Sequence, residues 1–579
     1  MKSNKWLLLM ALTLVLSMFL AACGGSKDED KPAADGDDKD KGAATEEPEE
    51  KQHAKDEEGE PDAEQVLHLA ESAAIPSVDS SIVEDAVGFN VLNNINEGLY
   101  RLNQENIAEP AMAAEEAEVS EDGLTYTFKL RDAMWADETP VTADDFVYAW
   151  QRAIDPATGS PYGPFMMSGV VENATAISEE KMEISELGVK AIDEKTFEVK
   201  LERPVPYFLS LMSFGTFYPL KEEFVASKGD AFATNSDNLL SNGPFVLTKW
   251  DGTGDSWTYV KNENYWDAEN VKLTEINVNV VKDSATAIKL YQDGKLDRAG
   301  VSGDLAMQYR DDEEAVIQPE TSVFYFKFNQ ERDGKETPLA NENIRKAIAK
   351  SFEKEDMVDV VLANGSLAAN FLVPTNFAFD ENEKDFRELS GNHLEYNVEE
   401  AQDHWKKGLE ELGVESLDLE ILGGDTELSK KMDEYFKSQL EGNLEGLSIS
   451  LKEVPFSVRL DLDGNQDYDI QVSGWGPDFQ DPISFLDLFV TDGTNNLMSY
   501  SNPEYDKLIE DSKGELALKP EERYEAFAKA EKILLDEDAA IAPIYQRGLI
   551  FLHKPHFKGL VDHPFGADYS FKWAYMSGK

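Results

Sequence analysis

The chain has 579 residues and carries 114 Asp and Glu against 54 Lys and Arg, a formal net charge of −60. Nucleic-acid binders present clustered Lys and Arg, so this balance excludes that class, and it excludes electrostatic adsorption to anionic lipid as well. A single cysteine excludes a disulfide framework, whereas 41% hydrophobic residues, with 10% aromatics, are ample for a buried core.

Lys2 and Lys5 precede an apolar run from Trp6 to Leu20 broken only by Thr13 and Ser17, and small residues follow in Leu20-Ala21-Ala22-Cys23-Gly24-Gly25. That order predicts a secretory signal peptide over 1–22. The run is short for a membrane span of roughly twenty residues. Leu20-Ala21-Ala22-Cys23 resembles a bacterial lipobox, in which the thiol after the cut carries a diacylglyceryl group. Cys23, the only cysteine, is therefore the expected lipidation site and membrane anchor. Residues 23–64 lose almost all apolar side chains to Asp, Glu, Lys, Ala, Gly and Pro, and predict a charged, self-repelling tether.

The roughly 515 residues beyond the tether exceed one ordinary core and predict two or three lobes. Alternation predicts strands over 65–70, 124–130, 197–201, 276–281 and 322–328. Thr142-Ala143-Asp144-Asp145 is a capping box ahead of Phe146, Ala149, Trp150 and Ala153, which share a helical face ending at Asp155-Pro156. Further helices are expected over about 342–352 and 521–535. Strands and helices alternate, so the fold class is mixed α/β.

The stretch Leu130-Arg131-Asp132-Ala133-Met134-Trp135, continued by Pro140-Val141-Thr142-Ala143-Asp144-Asp145-Phe146-Val147-Tyr148-Ala149-Trp150 and Asp155-Pro156-Ala157-Thr158-Gly159-Ser160-Pro161-Tyr162, carries a family resemblance. Ser241-Asn242-Gly243-Pro244-Phe245, Asn264-Tyr265-Trp266, Ser473-Gly474-Trp475-Gly476-Pro477-Asp478 and Ala542-Pro543-Ile544-Tyr545 extend it in order. From about Gln65 onward the chain resembles the extracytoplasmic oligopeptide- and dipeptide-binding proteins of ABC importers. The resemblance implies a periplasmic-binding-protein-like clamp of two lobes with a hinge, plus an extra inserted lobe. Expected boundaries are 65–97 with 221–320 and 546–579 for the first lobe, 98–220 for the inserted second, and 321–545 for the third. It also implies peptides as ligands, an ABC permease as membrane partner, a monomer, and no cofactor or metal. A peptide sensor, for pheromone or cell-wall peptides, would use the same site.

Within that resemblance Asp478 matches the aspartate that pairs with a peptide's free α-amino group. Trp475 would wall a pocket, while Gly474 and Gly476 would let backbone approach the ligand. Tyr162 matches a tyrosine near the ligand and Phe456 another aromatic wall. Ala86, Val87 and Gly88 match the stretch that offers backbone hydrogen bonds. Where some relatives carry arginines near the peptide's carboxyl end, this chain has Val472 and Asp463. Lys327 stands where some relatives are acidic, and is the alternative source of positive charge there.

Asp461 to Asp467 imitates a calcium loop, but its glycine falls at the fourth position rather than the sixth and Val472 replaces the closing glutamate. His553, His556 and His563 are separated by Pro555 and lack helical metal-ligand spacing. The chain has no Gly-x-Ser-x-Gly elbow, His-Glu-x-x-His helix or phosphate loop, so a secreted hydrolase is disfavoured and a non-enzymatic role is expected.

Overall fold

Leu67 and Leu69 are buried and alternate with the half-buried Val66, His68 and Ala70, which makes Val66–Glu71 a strand with one inner face. The computed structural model describes residues 64–380 and 382–578; the signal segment, Cys23 and the tether up to residue 63 lie outside the described residues. Val66–Glu71 runs parallel to Glu275–Val280, which pairs antiparallel with Ser256–Lys261, and that strand with Phe245–Thr248. The core against this four-stranded sheet also takes Phe557, Phe571 and Met576 from the C-terminal stretch.

A second four-stranded sheet, in the order Glu118–Val119, Thr125–Lys129, Thr196–Lys200, Val189–Asp193, is wholly antiparallel. The helix Ala143–Ile154 packs on it. The backbone N–H of Thr142 donates to Asp145 Oδ2 at 2.9 Å, closing the capping box, and Pro156 prevents continuation at the other end. Phe146, Ala149, Trp150 and Ala153 are all buried, and the rings of Phe146 and Trp150 lie 5.6 and 5.3 Å from that of Phe197. Each fully buried large side chain of this kind contributes about 1.5–3 kcal/mol.

The largest sheet has seven strands. Its centre is a pair of long antiparallel strands, Ala315–Phe328 and Ile541–His553. Arg298–Val301 and the short Leu367–Ala368 join the second of these, and Ile470–Trp475 joins the first. Leu417–Gly424 and Leu447–Val454 complete the sheet in parallel, linked by the helix Glu427–Asn443 as a crossover unit demands. The aromatic strand expected over 322–328 is thus longer, starting at Ala315. The helices expected over 342–352 and 521–535 are Glu342–Lys350 and Pro520–Lys532, the latter running on into a wide turn, Ile533–Glu537.

The long strand pair is irregular between Pro319 and Val323. On one side of the break Ile550 and Leu552 belong to a core with Ala299 and Val301. On the other, Val323, Phe326, Ile541 and Ile544 belong to the main core. The buried carboxyl of Glu320, at the break, pairs with Arg547; burial raises its pKa to about 7, against the pull of that guanidinium.

Glu97 and Arg101 tie three distant stretches together. Glu97 is 0% exposed, accepts from Arg101 Nε at 2.8 Å and Tyr265 Oη at 2.6 Å, and also from Trp266 Nε1. Arg101 donates onward to Ser570 Oγ at 3.0 Å and to the Asn93 carbonyl at 2.9 Å. Removing one member of a buried pair strands the other charge. Glu97→Ala is therefore expected to lower stability by about 3–5 kcal/mol, read as a shift in urea midpoint at unchanged slope, with Glu97→Gln losing less.

Candidate functional site

A cavity of about 720 Å³ opens between these elements, within the roughly 300–1,000 Å³ usual for ligand sites. Ala86 and Val87, Tyr162, Phe456, Gly474, Trp475, Gly476 and Asp478 line it. Residues nearly four hundred positions apart in sequence thus meet on one surface.

Ile470–Trp475 pairs along its whole length with Ala315–Phe328, but Leu417–Gly424 reaches only Ile470 and Gln471 on the other side. From Val472 onward that second edge has no neighbouring strand. The Val472 carbonyl is turned to it, accepting from Arg459 Nη1 at 2.7 Å. Backbone groups two residues apart point to the same edge, so the N–H and C=O of Gly474 also face it. A Cβ on Gly474 would stand 2.6 Å from the Phe324 ring, and one on Gly476 3.1 Å from Ser322 Oγ. Both glycines let the strand end lie close against its neighbours.

Beyond this edge the chain turns through Pro477, whose carbonyl accepts from the Gly566 N–H at 2.8 Å, to Asp478. Asp478 is 6% exposed. Its N–H is held by Ser484 Oγ at 2.8 Å, and the Tyr162 hydroxyl donates to Oδ1 across a long 3.4 Å. Among the described residues Oδ2 has no hydrogen-bond partner, and neither has Trp475 Nε1. A carboxylate this deeply buried is costly to ionise, and desolvation holds the Asp478 pKa well above the usual range, with Tyr162 pulling weakly the other way. The Tyr162 hydroxyl is pushed up as well, by burial first and by Asp478 second. The rings of Tyr162 and Trp475 are parallel within 5° at 6.2 Å, and Phe165 meets Trp475 edge-on at 6.1 Å. An aromatic wall thus stands beside one acceptor and one donor that no group among the described residues satisfies.

Two expectations change. Gly88 is not on the cavity wall. It lies in the first turn of the helix Ala86–Ile95, where its N–H donates to the capping carboxylate of Asp85 at 2.9 Å. A Cβ there would fall 2.3 Å from Val83 Cγ2, so packing requires the glycine. The signal was present in the sequence, since Asp85 precedes the apolar spacing of Phe89, Leu92 and Ile95 as an N-cap does. Lys327 is not a free cation. Its ammonium pairs with Asp463 Oδ1 at 2.6 Å, both side chains largely buried, so the two departures noted in sequence cancel each other.

The acid-loop and histidine patterns are also spent elsewhere. Asp461 and Asp463 sit in the helix Phe456–Gly464. The three histidines face different partners: His553 the Phe557 carbonyl, His556 Asp297, and His563 Asn106. Among the described residues no group of His, Cys, Asp and Glu is arranged to hold a metal. Sequence reasoning missed Phe324, Tyr545, Asp433, Arg459 and Arg547, all of which line the cavity. The Phe324 and Tyr545 rings stack there at 4.7 Å.

Comparison with known proteins agrees with this architecture. The model of the middle region of bacterial extracellular solute-binding proteins, family 5, matches residues 108–496. Dipeptide-binding protein DppE of Bacillus subtilis is 35% identical over 513 residues, covering 88% of this chain and 92% of that protein. The structure of peptide-bound OppA of Listeria monocytogenes is 50% identical with a TM-score of 0.86, covering 90% of this chain and 100% of that one. One structure of the Escherichia coli murein tripeptide-binding protein MppA superposes with a TM-score of 0.81 over 90% of this chain and 100% of that one, at 27% identity. Its unliganded open form gives 0.59 over 89% of this chain and 98% of that one, also at 27% identity. By its matched family model, its relatives and its clamp of lobes, this chain belongs to the bacterial extracellular solute-binding proteins of family 5.

Proposed function

We propose that this protein is an extracytoplasmic receptor that captures peptides between its lobes and delivers them to the membrane permease of an ABC importer. The observation that carries this reading is the buried, unpartnered Oδ2 of Asp478 beside the open strand edge at Gly474. A peptide's α-ammonium supplies the missing partner for that oxygen through a charge-assisted bond. Its backbone adds to the Gly474 edge as an extra strand, which recognises any sequence because every peptide presents the same N–H and C=O groups. Trp475, Tyr162 and Phe456 give side chains apolar surface, and Trp475 Nε1 has a hydrogen bond to donate. Relatives described as dipeptide-binding and as peptide-bound support the assignment, and a binding role without catalysis is in keeping with the family.

In the same reading, 65–97, 221–320 and 546–579 form one lobe, 98–220 the inserted lobe and 321–545 the third. The break at Pro319–Val323 in the long strand pair serves as hinge. A diacylglyceryl group on Cys23 would keep the receptor at the outer face of the membrane, so captured peptide reaches the permease before it diffuses away. The receptor acts as a monomer and needs no metal or cofactor.

Calorimetry of the whole chain with short peptides tests the ligand assignment. Asp478→Ala should weaken peptides with a free amino terminus by about 2–5 kcal/mol, the usual cost of truncating one partner of a buried charge pair. N-acetylated peptides should bind the native protein weakly and lose little more on mutation; equal binding of both peptide types by both proteins would sink the assignment.

A second prediction follows from the raised Asp478 pKa. The unfolded carboxyl releases its proton near pH 3.9, whereas the folded one retains it to a higher pH. Stability from this group is therefore fully present below about pH 3.9 and is lost as pH rises through the raised value. Asp478→Asn removes that loss. Without peptide, its melting temperature should exceed that of the native protein at about pH 8 and converge with it near pH 4.

A further inference from the structure

The cleft is acidic. Nine carboxyl side chains line it against four basic ones: Lys282, Lys327, Arg459 and Arg547. Three of the four are spent internally, Lys282 on Asp425 at 2.7 Å, Lys327 on Asp463 at 2.6 Å, and Arg547 on Glu320 and Asp568. Arg459 makes no ion pair among the described residues. Its Nη1 donates to the Val472 carbonyl at 2.7 Å, and its guanidinium carbon lies 5.1 Å from the centre of the Phe456 ring.

Several carboxyls on this surface have no Lys or Arg partner among the described residues, and besides Asp478 the most buried of them is Asp433. Asp433, on the helix Glu427–Asn443, lines the cavity yet is only 1% exposed. Its side chain makes no hydrogen bond or ion pair among the described residues, and Oδ2 is buried without a partner. Room for it is made by a glycine: a Cβ on Gly423 would stand 1.8 Å from that Oδ2. Glu453 adds a like charge nearby, itself engaged with Lys430 at 3.5 Å, while Arg459 is the cation that partly offsets it. Burial first, then Glu453, raises the Asp433 pKa to about 8. Apolar Leu428 and Met432, on the same helix, and Phe456 line the same cavity.

We propose that Asp433 is the base of a side-chain pocket that selects a cationic residue, lysine or arginine, in the bound peptide. The charged head pairs with the Asp433 carboxyl, and the methylene stem lies along Leu428, Met432 and Phe456, as long basic side chains bury their stems while satisfying their heads. A ligand cation offsets the cost of a buried carboxylate that Arg459 offsets only in part, and it is drawn by a cleft whose carboxylates outnumber its cations. This pocket rests on the receptor reading above, because it is a subsite of the same cleft.

The test is a calorimetric series of alanine tetrapeptides with a free amino terminus, carrying lysine or norleucine at the second, third or fourth position. Norleucine keeps the stem and removes the charge. At one position the native protein should prefer lysine by about tenfold or more. Asp433→Asn should abolish that preference and bind the norleucine peptide as the native protein does, which also shows that the variant is folded. Gly423→Ala, which fills the space beside Oδ2, should weaken the lysine peptide selectively as well. The proposal is overturned if lysine is preferred nowhere, if the preference survives Asp433→Asn, or if that variant weakens both peptides alike, as it must if Asp433 only steadies Arg459. Peptides that bind without a lysine preference sink this pocket alone, whereas a protein that binds none of the series sinks the receptor reading with it.

Discussion

The antiparallel pairing of Ala315–Phe328 with Ile541–His553 is the constraint on which the rest of the molecule rests. One end of the pair is buried in the core around Ala299, Val301, Ile550 and Leu552, the other in the main core around Val323, Phe326, Ile541 and Ile544. A strand pair shared by two cores fixes their relation, and its register is irregular between Pro319 and Val323. The site hangs from the same pair. Ile470–Trp475 is registered against 323–328, with Trp475 opposite Val323 and Gly474 opposite Phe324, so any slip of register would displace the edge that faces the cleft.

The electrostatics of the cleft follow one rule. A buried carboxylate is tolerated when its partner is built in, as for Asp463 with Lys327, and is held at a cost when it is not. Asp478 and Asp433 are of the second kind, each with an oxygen that no group among the described residues satisfies. In a chain of net charge −60, exposed acids cost little; these two are expensive because they are out of water. Receptors give up stability in this way where a ligand restores it, and the cavity wall is where both residues lie.

Legibility in the sequence tracked the range of the interactions involved. The helix Ala143–Ile154 was readable at both ends, because a capping box and a proline act within a few residues. Four of the expected strands are present within a residue or two, as Val66–Glu71, Thr125–Lys129, Thr196–Lys200 and Glu275–Val280, because alternation is local. The Gly-Trp-Gly-Pro-Asp run pointed to Asp478 through family resemblance, and geometry adds that its Oδ2 is unpaired. Gly88 was expected at the ligand, and the fold places it in the first turn of the helix Ala86–Ile95, with its N–H on the capping carboxylate of Asp85. Lys327 and Asp463 were each seen as departures, but 136 positions separate them and only the folded chain shows that they compensate. Asp433 carried no signal: in a sequence with 114 acids, one more on a helix reads as solvated surface.

Composition, periodicity and capping motifs thus marked an acidic, mixed α/β body and several of its strands and helices, while longer motifs pointed to its family by resemblance. They act through neighbours in the chain, where spacing and chemistry are visible together. The open edge beyond Val472, the cancelled Lys327–Asp463 charges and the solitary carboxyl of Asp433 arise from contacts between stretches far apart in sequence. Whether a charged side chain is paired, solvated or stranded depends on what packs around it, and that is decided only when the lobes come together.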